Sequence, residues 1–421
     1  MRPSSWQFPG FAGSIYRRAG DSHAHNAKLL CYKGEANSSD LLAGNLEFRG
    51  MNQPSRAAAV TPHPKIGYSL FDIEIHARPA RPQDIATYLP APYAERYLDG
   101  FLGDSTPNLD QRGGNDREDA DTSDNGVAAS NPALIARQLL APYGIEWAIC
   151  TGPIYNLSTM GDTDYATALA SAFNTWLNHD FVPRDSRFNG VVYVAMQDPK
   201  AAVKEIEKWA SHPRVSQVFI GSAGIVPLGH RSHHIIYEAA AANGLPVATH
   251  STMEGRGITG TPTGNGYCSR YIEYHTGLAA SALTNVTSLV CEGVFAKIPD
   301  FRFVLLEFGI SWAQPLMWAL DREWKNLRSE MPALKERPSD YLKRQLFYTT
   351  QPIEEPDQTR DLVQTYHAVN GSSQIMFSSD YPHWDFDNPL VILPGKENAE
   401  LKRRILRENA LALYGRRLGL T

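Results

Sequence analysis

QIMFSSDYPHWD, residues 374–385, has the pattern of a buried strand that ends on a carboxylate. Residues 375–377 form a short apolar run typical of a strand, and the chain then reaches Asp380 before it breaks at Tyr381 and Pro382. A (β/α) barrel delivers catalytic acids and metal ligands to its active face from strand ends of this kind. The same residues are also consistent with an Asp that only caps the next turn.

Three earlier stretches repeat this pattern: FDIEIH at 71–76, LPVATH at 245–250 and FRFVLLEFG at 301–309. Each is an apolar run that reaches a His or a Glu at or near its end. Four strand ends that carry imidazole and carboxylate groups indicate one shared metal site.

The first of these strands offers two ligands by itself. Alternation in YSLFDIEIH (68–76) places apolar residues on one face and Asp72, Glu74 and His76 on the other. Glu74 and His76 are two positions apart, so both can bind one cation from a single strand. An ordinary half-buried strand shows the same alternation.

After the strand at 68–76, helical and strand patterns alternate from residue 132 onward. The predicted strands are 68–76, 145–151, 190–196, 215–221, 246–250, 301–307, 346–350 and 374–379. The predicted helices are 133–142, 162–179, 199–211, 231–243, 278–296, 310–328, 358–369 and 397–414. Repeated βα units predict an α/β fold, a (β/α)₈ TIM barrel over residues 66–421. A doubly wound sheet is the alternative, but no GxGxxG follows the first strand.

Two segments lie outside this pattern. Residues 1–65 show no sustained period and are predicted to form a loosely ordered N-terminal arm. We expect its His23 and His25 to be solvated rather than to bind the catalytic metal. Residues 103–131 are acidic and rich in Gly, which predicts a long exposed insertion and a candidate lid.

Composition excludes several classes of protein. The 421 residues are 43% hydrophobic and 20% charged, with a net charge of −5 and no basic run, which argues against nucleic-acid and anionic-membrane partners. No membrane span or export signal is evident, and the four cysteines form no CxxC pair. We therefore expect a cytoplasmic protein with a small-molecule substrate, and a homodimer stays open.

Glu74, His76, His250 and Asp380 are the predicted metal ligands. Two imidazoles and two carboxylates suit Zn²⁺, the first choice, and also Mn²⁺, and they neutralise one divalent charge. A second ion would need a bridging group such as a carbamylated Lys, and no predicted strand ends in Lys. The sequence therefore predicts one divalent metal ion, which can activate water or bind a substrate carboxylate.

Residues 68–414 resemble the amidohydrolase superfamily, in particular the amidohydrolase-related family that includes aminocarboxymuconate-semialdehyde decarboxylase. The resemblance lies in DIEIH at 72–76, in TSLVCEGVFAKIPDFRFVLLEFGISWAQPLMWALDREW at 287–324 and in FSSDYPHWD at 377–385. It implies a distorted barrel, one divalent metal, and hydrolysis or decarboxylation of small, often aromatic, carboxylates.

The resemblance also assigns residues. His76, His250 and Asp380 match metal ligands, and Glu74 matches the first ligand, which is His in some members and Glu in the resorcylate-type decarboxylases. Glu307 departs from the family, which usually has a His general acid/base at this position. A carboxylate beside a cation has a lowered pKa and is a poor acid, so this departure favours water activation.

Four more residues are candidates with ordinary alternatives. His275 can replace the missing imidazole or simply help to start a helix, and His383 can orient Asp380 or the substrate, or pack structurally. Arg78 and Arg256 can bind a substrate carboxylate or lie on the surface.

Three functions follow in order. The first is a metal-dependent hydrolase in which Asp380 or Glu307 is the base for a water that attacks a small cyclic or aromatic carboxylate, lactone or amide. The alternative is a non-oxidative decarboxylase of a small aromatic or muconate-like acid on the same site. The third is a metal-binding barrel without catalysis.

Overall fold

Eight parallel strands follow one another around a single sheet, each hydrogen-bonded to the next strand in the chain. The computed structural model describes residues 60–99, 116–120, 127–251, 254, 263–264 and 266–420. The strands are β1 (Leu70–His76), β2 (Ile145–Thr151), β3 (Phe188–Tyr193), β4 (Val215–Gly221), β5 (Val247–His250), β6 (Phe303–Leu306), β7 (Leu346–Thr349) and β8 (Ile375–Met376).

The sheet closes on itself between β1 and the chain just after β8. The His76 amide donates to the Tyr381 carbonyl at 2.8 Å. The Ser379 amide donates to the buried Asp72 carboxylate at 3.0 Å. With its edges joined in this way, the sheet is a (β/α)₈ barrel, and the predicted fold is confirmed over its alternative, the doubly wound sheet.

Helices follow most of the strands and cover the outside of the barrel. They are α1 (Gln83–Ala86), α2 (Ala91–Leu98), α3 (Pro132–Ile135), α4 (Ala141–Tyr143), α5 (Thr163–Thr175), α6 (Pro199–Trp209), α7 (His234–Ala242), α8 (Tyr271–Cys291), α9 (Val294–Lys297), α10 (Ala313–Asn326), α11 (Pro338–Gln345), α12 (Thr359–Ala368), α13 (Gly371–Gln374), α14 (Ala399–Arg403) and α15 (Asn409–Tyr414). The short α11 was not predicted, because eight mostly polar residues give too few turns for a clear period.

Both faces of the strands are buried, as parallel barrels require. Every residue of β1, β3 and β4 is buried, and their apolar side chains form the core together with the helices. Strand β8 has only two paired residues, fewer than the predicted 374–379, because the chain leaves β7 there and crosses to β1. This crossing brings Asp380 to the carboxyl end of the barrel.

Part of the predicted insertion packs against the barrel. Within 103–131 the structure describes 116–120 and 127–131, where Ala120, Ala128 and Ala129 are at most 4% exposed. For these residues the expectation of exposure is wrong, because their small apolar side chains pack into the core cluster.

The arm is described only from residue 60, so His23 and His25 lie outside the described residues. None of the helices in the described ranges combines the length and the apolar character that a bilayer crossing needs. The cytoplasmic location and the homodimer stay predictions.

Candidate metal centre

Five buried side chains meet at the carboxyl end of the barrel, and together we call them the metal-binding group. Glu74 and His76 lie on β1, His250 ends β5, Glu307 directly follows β6, and Asp380 lies in the loop after β8. None of the five is more than 6% exposed. The barrel strands bring these residues together because their carboxyl ends point to one face.

The distances within the group are short. His76 Nε2 lies 2.6 Å from Asp380 Oδ1 and 2.9 Å from Glu307 Oε1. His250 Nε2 lies 2.9 Å from the same Glu307 oxygen and 3.7 Å from Glu74 Oε1. Single atoms of Glu74, His76, His250 and Glu307 all lie within 4.8 Å of one another, close enough to share one ion.

The structure thus brings together the four predicted ligands and adds Glu307 to them. Asp380 belongs to a second, overlapping set with His76, Glu307 and His383, again within 4.8 Å. Which of these atoms bind the metal stays a prediction. Glu307, expected as a base beside the site, lies among the ligand atoms.

The group fits a divalent cation. Both carboxylate oxygens of Glu74 are buried and find no hydrogen-bond partner among the described residues. Burial, with the Glu307 charge next in effect, raises the pKa of Glu74 and of Asp380 well above the ordinary range. A cation between these carboxylates compensates their charges, which is how buried carboxylates are normally stabilised.

Glu307 differs electrostatically from its two carboxylate neighbours. Burial raises its pKa, but His250 and His76 outweigh burial and hold the pKa well below the usual value. Ionisation of Glu307 is therefore favoured by the two imidazoles, whereas the sequence-based expectation of a lowered pKa rests on a neighbouring cation and stays a prediction.

Two ligand-type residues adopt a left-handed backbone. The φ angles of Glu307 and Asp380 are 63° and 57°. For a residue other than Gly this conformation costs on the order of 1 kcal/mol or more and tends to occur at functional sites. Both carboxylates lie among the potential ligand atoms of the site.

Both imidazoles present Nε2 to the group because their Nδ1 atoms are engaged elsewhere. His250 Nδ1 donates to the Ser251 carbonyl at 2.9 Å. His76 Nδ1 contacts the Tyr155 hydroxyl, and the Tyr155 ring stacks on His250 with centroids 4.3 Å apart and an interplanar angle of 24°. Partners of this kind set the tautomer and the orientation of metal-binding histidines. Sequence reasoning missed Tyr155, since it follows β2 in a loop with no motif.

His383 lies where a residue that orients Asp380 would lie. Its Nδ1 donates to Asp380 Oδ1 at 2.6 Å, and its ring lies 4.3 Å from the His76 ring. Burial and the neighbouring His76 lower its pKa well below the ordinary value, so the ring is neutral. Its role stays a prediction that these contacts support.

His275 lies inside α8 rather than before a helix, because α8 begins earlier than predicted. Its Nε2 lies 3.2 Å from Asp385 Oδ2, and this pairing raises its pKa despite partial burial. The Gln351 amide donates to Asp385 at 2.9 Å and to Asp380 at 3.0 Å, which connects His275 to the metal-binding group. Gln351 was also missed, because nothing in its local sequence marks it.

The two predicted substrate-binding arginines have different outcomes. Arg78 lies at the site, where it pairs with Asp116, and one guanidinium nitrogen lies 3.3 Å from His383 Nε2. Arg256 lies outside the described residues.

Known proteins match this chain over most of the barrel. It is 22% identical to γ-resorcylate decarboxylase of Polaromonas sp. strain JS666 over 267 residues, which cover 60% of this chain and 77% of that protein. It is 22% identical to the enzyme of the same name from Rhodococcus jostii strain RHA1 over 294 residues, 66% of this chain and 85% of that protein.

A solved structure shares the fold. The 5-carboxyvanillate decarboxylase of Novosphingobium aromaticivorans, in complex with manganese and 4-hydroxy-3-methoxy-5-nitrobenzoic acid, superimposes with a TM-score of 0.62. The two chains are 18% identical, and the match covers 86% of this chain and 99% of that chain.

The profile of the family described as "Amidohydrolase" matches residues 71–416. This range takes in the barrel from the second residue of β1 to α15 and all five residues of the metal-binding group. The resemblance seen in the sequence motifs is thereby confirmed, and the chain belongs to the amidohydrolase family of enzymes.

Proposed function

We propose that this protein is a metal-dependent, non-oxidative decarboxylase of a small hydroxylated aromatic acid. The observation that carries the proposal is the Glu74–His76 pair at the end of β1. These two side chains lie close to His250 and to the carboxylates of Glu307 and Asp380. A Glu in the first ligand position is the pattern of the resorcylate-type decarboxylases. The two curated relatives are named γ-resorcylate decarboxylases.

The sequence alone favours hydrolysis, because a Glu beside a cation is a poor acid. The comparisons favour the alternative, decarboxylation, which needs a proton donor for the ring carbon. His275 supplies one, because its partner Asp385 raises its pKa and favours the imidazolium form.

We propose Mn²⁺ as the cation rather than Zn²⁺. Three carboxylates and two imidazoles converge in the metal-binding group. Catalytic zinc sites typically use three protein ligands, whereas sites richer in carboxylate oxygens suit Mn²⁺. The solved 5-carboxyvanillate decarboxylase contains manganese.

When bound, the cation would hold the carboxylate and the neighbouring hydroxyl of the substrate and withdraw electron density from them. The His275 imidazolium gives a proton to the ring carbon that bears the carboxylate. The bond to the carboxylate carbon then breaks, its electron pair restores the aromatic ring, and CO₂ leaves. Asp385 holds His275 in place, and Gln351 holds Asp385.

Hydrolysis is the second candidate, and one observation favours it. The ionised Glu307 carboxylate lies 2.9 Å from the Nε2 atoms of His76 and His250. A carboxylate at this place can take a proton from water, which is the step that a hydrolase needs.

Product analysis in ¹⁸O-labelled water separates the two reactions. We expect protein loaded with Mn²⁺ to convert 2,6-dihydroxybenzoate into resorcinol and CO₂, with no ¹⁸O in resorcinol. Parallel samples contain aromatic esters and lactones. The proposal would be overturned in favour of hydrolysis if the esters or lactones were converted with ¹⁸O in the product acid while 2,6-dihydroxybenzoate was not converted.

A further inference from the structure

The described part of the insertion is fixed to the loop that carries Asp380. Asp116 forms an antiparallel bridge with His383, and the Arg117 amide donates to the Pro382 carbonyl at 2.8 Å. Ala120 is fully buried. These backbone contacts hold Asp116 next to His383, whose imidazole donates to Asp380 of the metal-binding group.

Asp116 fills one edge of the Arg78 guanidinium. Arg78 Nη1 donates to Asp116 Oδ2 at 2.5 Å, and Nη2 donates to Oδ1 at 2.8 Å. This two-pronged geometry is the one in which an arginine binds a carboxylate of any origin. The side chains of Arg78 and Asp116 are 21% and 31% exposed, so solvent and solutes can reach the pair.

Arg78 is also close to the metal-binding group. It follows His76 by two positions, and its Nη2 lies 3.3 Å from Nε2 of His383, whose other nitrogen donates to Asp380. Nη2 therefore contacts both Asp116 and His383, and a second carboxylate that binds Nη1 and Nη2 together has to displace Asp116. Arg78 also forms part of the wall of a cavity of about 810 Å³, together with Trp176 and Phe181.

We propose that Arg78 is an anion subsite beside the metal centre and that Asp116 is an internal carboxylate that occupies it. A carboxylate of an aromatic acid that the cation does not hold takes the place of Asp116 on Arg78. The exchange replaces one two-pronged ion pair by another, and the released Asp116 carboxylate becomes hydrated because it is already partly exposed. The substrate class rests on the proposed function, but the exchange itself needs only a carboxylate.

Binding of benzoate to the protein loaded with Mn²⁺ tests the exchange. Benzoate lacks the neighbouring hydroxyl and serves as a ligand that is followed by isothermal titration calorimetry. Asp116→Ala frees Arg78 from its internal partner, so we expect benzoate to bind about fivefold more tightly, the gain that a partly exposed ion pair can supply. Arg78→Ala should weaken benzoate binding, and in the double variant the Asp116→Ala gain should vanish.

Asp119→Ala is the matched control. Asp119 lies in the same short segment and pairs with Arg117 instead of Arg78, so its removal changes the net charge equally. We expect benzoate affinity to stay at the wild-type value. Asp116→Asn, which keeps the size and one acceptor oxygen, provides a second variant if Asp116→Ala does not fold.

Unchanged or weaker benzoate binding in the folded Asp116 variants would overturn the inference, as would an equal gain in Asp119→Ala. These outcomes are independent of the reaction. If the protein is a hydrolase that binds carboxylates through Arg78, Asp116→Ala would still bind benzoate more tightly. If the protein is a decarboxylase and Asp116→Ala does not bind benzoate more tightly, only the exchange on Arg78 is refuted.

Discussion

Replacing Tyr155 with phenylalanine tests how this protein orients its metal-binding imidazoles. The substitution removes the hydroxyl that contacts His76 Nδ1 and keeps the ring that stacks on His250. With a cation on Nε2, the His76 ring carries its proton on Nδ1 and donates it to the Tyr155 oxygen. Phenylalanine leaves this N–H without an acceptor.

The expected loss of metal affinity is about tenfold. A hydrogen bond contributes about 0.5–1.5 kcal/mol net, and loss of a partner to a metal-binding His typically lowers affinity about 10- to 100-fold. The stacked ring still supports His250, and the carboxylates are untouched, so the smaller value applies. Tenfold corresponds to about 1.4 kcal/mol.

Titration with Mn²⁺, followed by the electron paramagnetic resonance signal of the free ion, measures this change. Tyr348→Phe is the control, because it removes a fully buried hydroxyl that has no hydrogen-bond partner within the described ranges. It should leave the Mn²⁺ affinity unchanged. Wild-type affinity in Tyr155→Phe, or an equal loss in Tyr348→Phe, would refute the orienting contact.

Three further predictions address the metal, the proton donor and the pH dependence. Asp380→Ala should lose bound metal and turnover together, because the Asp380 carboxylate lies 2.6 Å from His76 Nε2; full metal occupancy by elemental analysis would contradict this. His275→Gln should slow decarboxylation about 100-fold or more with unchanged Mn²⁺ content, and a parallel loss of metal would argue against a proton donor. Burial raises the pKa of Asp72 to about 7, whereas an unfolded Asp has a pKa of about 3.9. The unfolded chain therefore releases this proton at lower pH than the folded protein. The free energy of unfolding of the metal-free protein should then fall by up to about 4 kcal/mol between about pH 4 and pH 7. In urea unfolding of the metal-free protein, the free energy of unfolding of Asp72→Asn should depend less on pH than that of the wild type. An unchanged pH dependence would exclude Asp72 as its source.

The barrel could be predicted because its signals are local. Each strand is an apolar run with turn signals at its ends, and the predicted bounds 145–151 and 215–221 agree with β2 and β4. Alternation in β1 likewise placed Glu74 and His76 on one face, and the structure puts both in the metal-binding group. Local periodicity is set by backbone geometry, so it can be read without knowing the rest of the fold.

The surroundings of the group could not be predicted in this way. Glu307 is expected beside the metal as a base, but its carboxylate lies among the potential ligand atoms, on a residue with a φ of 63°. Gln351 and Tyr155 carry no motif, and each acts through a residue far away in the chain.

The sequence by itself determined the strand ends and the ligand types that they carry, because side-chain alternation and apolar runs depend only on neighbouring residues. Only the tertiary structure decided which other side chains face those ligands. The contact of Arg78 with Asp116 spans 38 positions, and that of His76 with Tyr155 spans 79. The loops that carry Asp116 and Tyr155 take their path from the packed barrel, and no local pattern encodes where such a path ends.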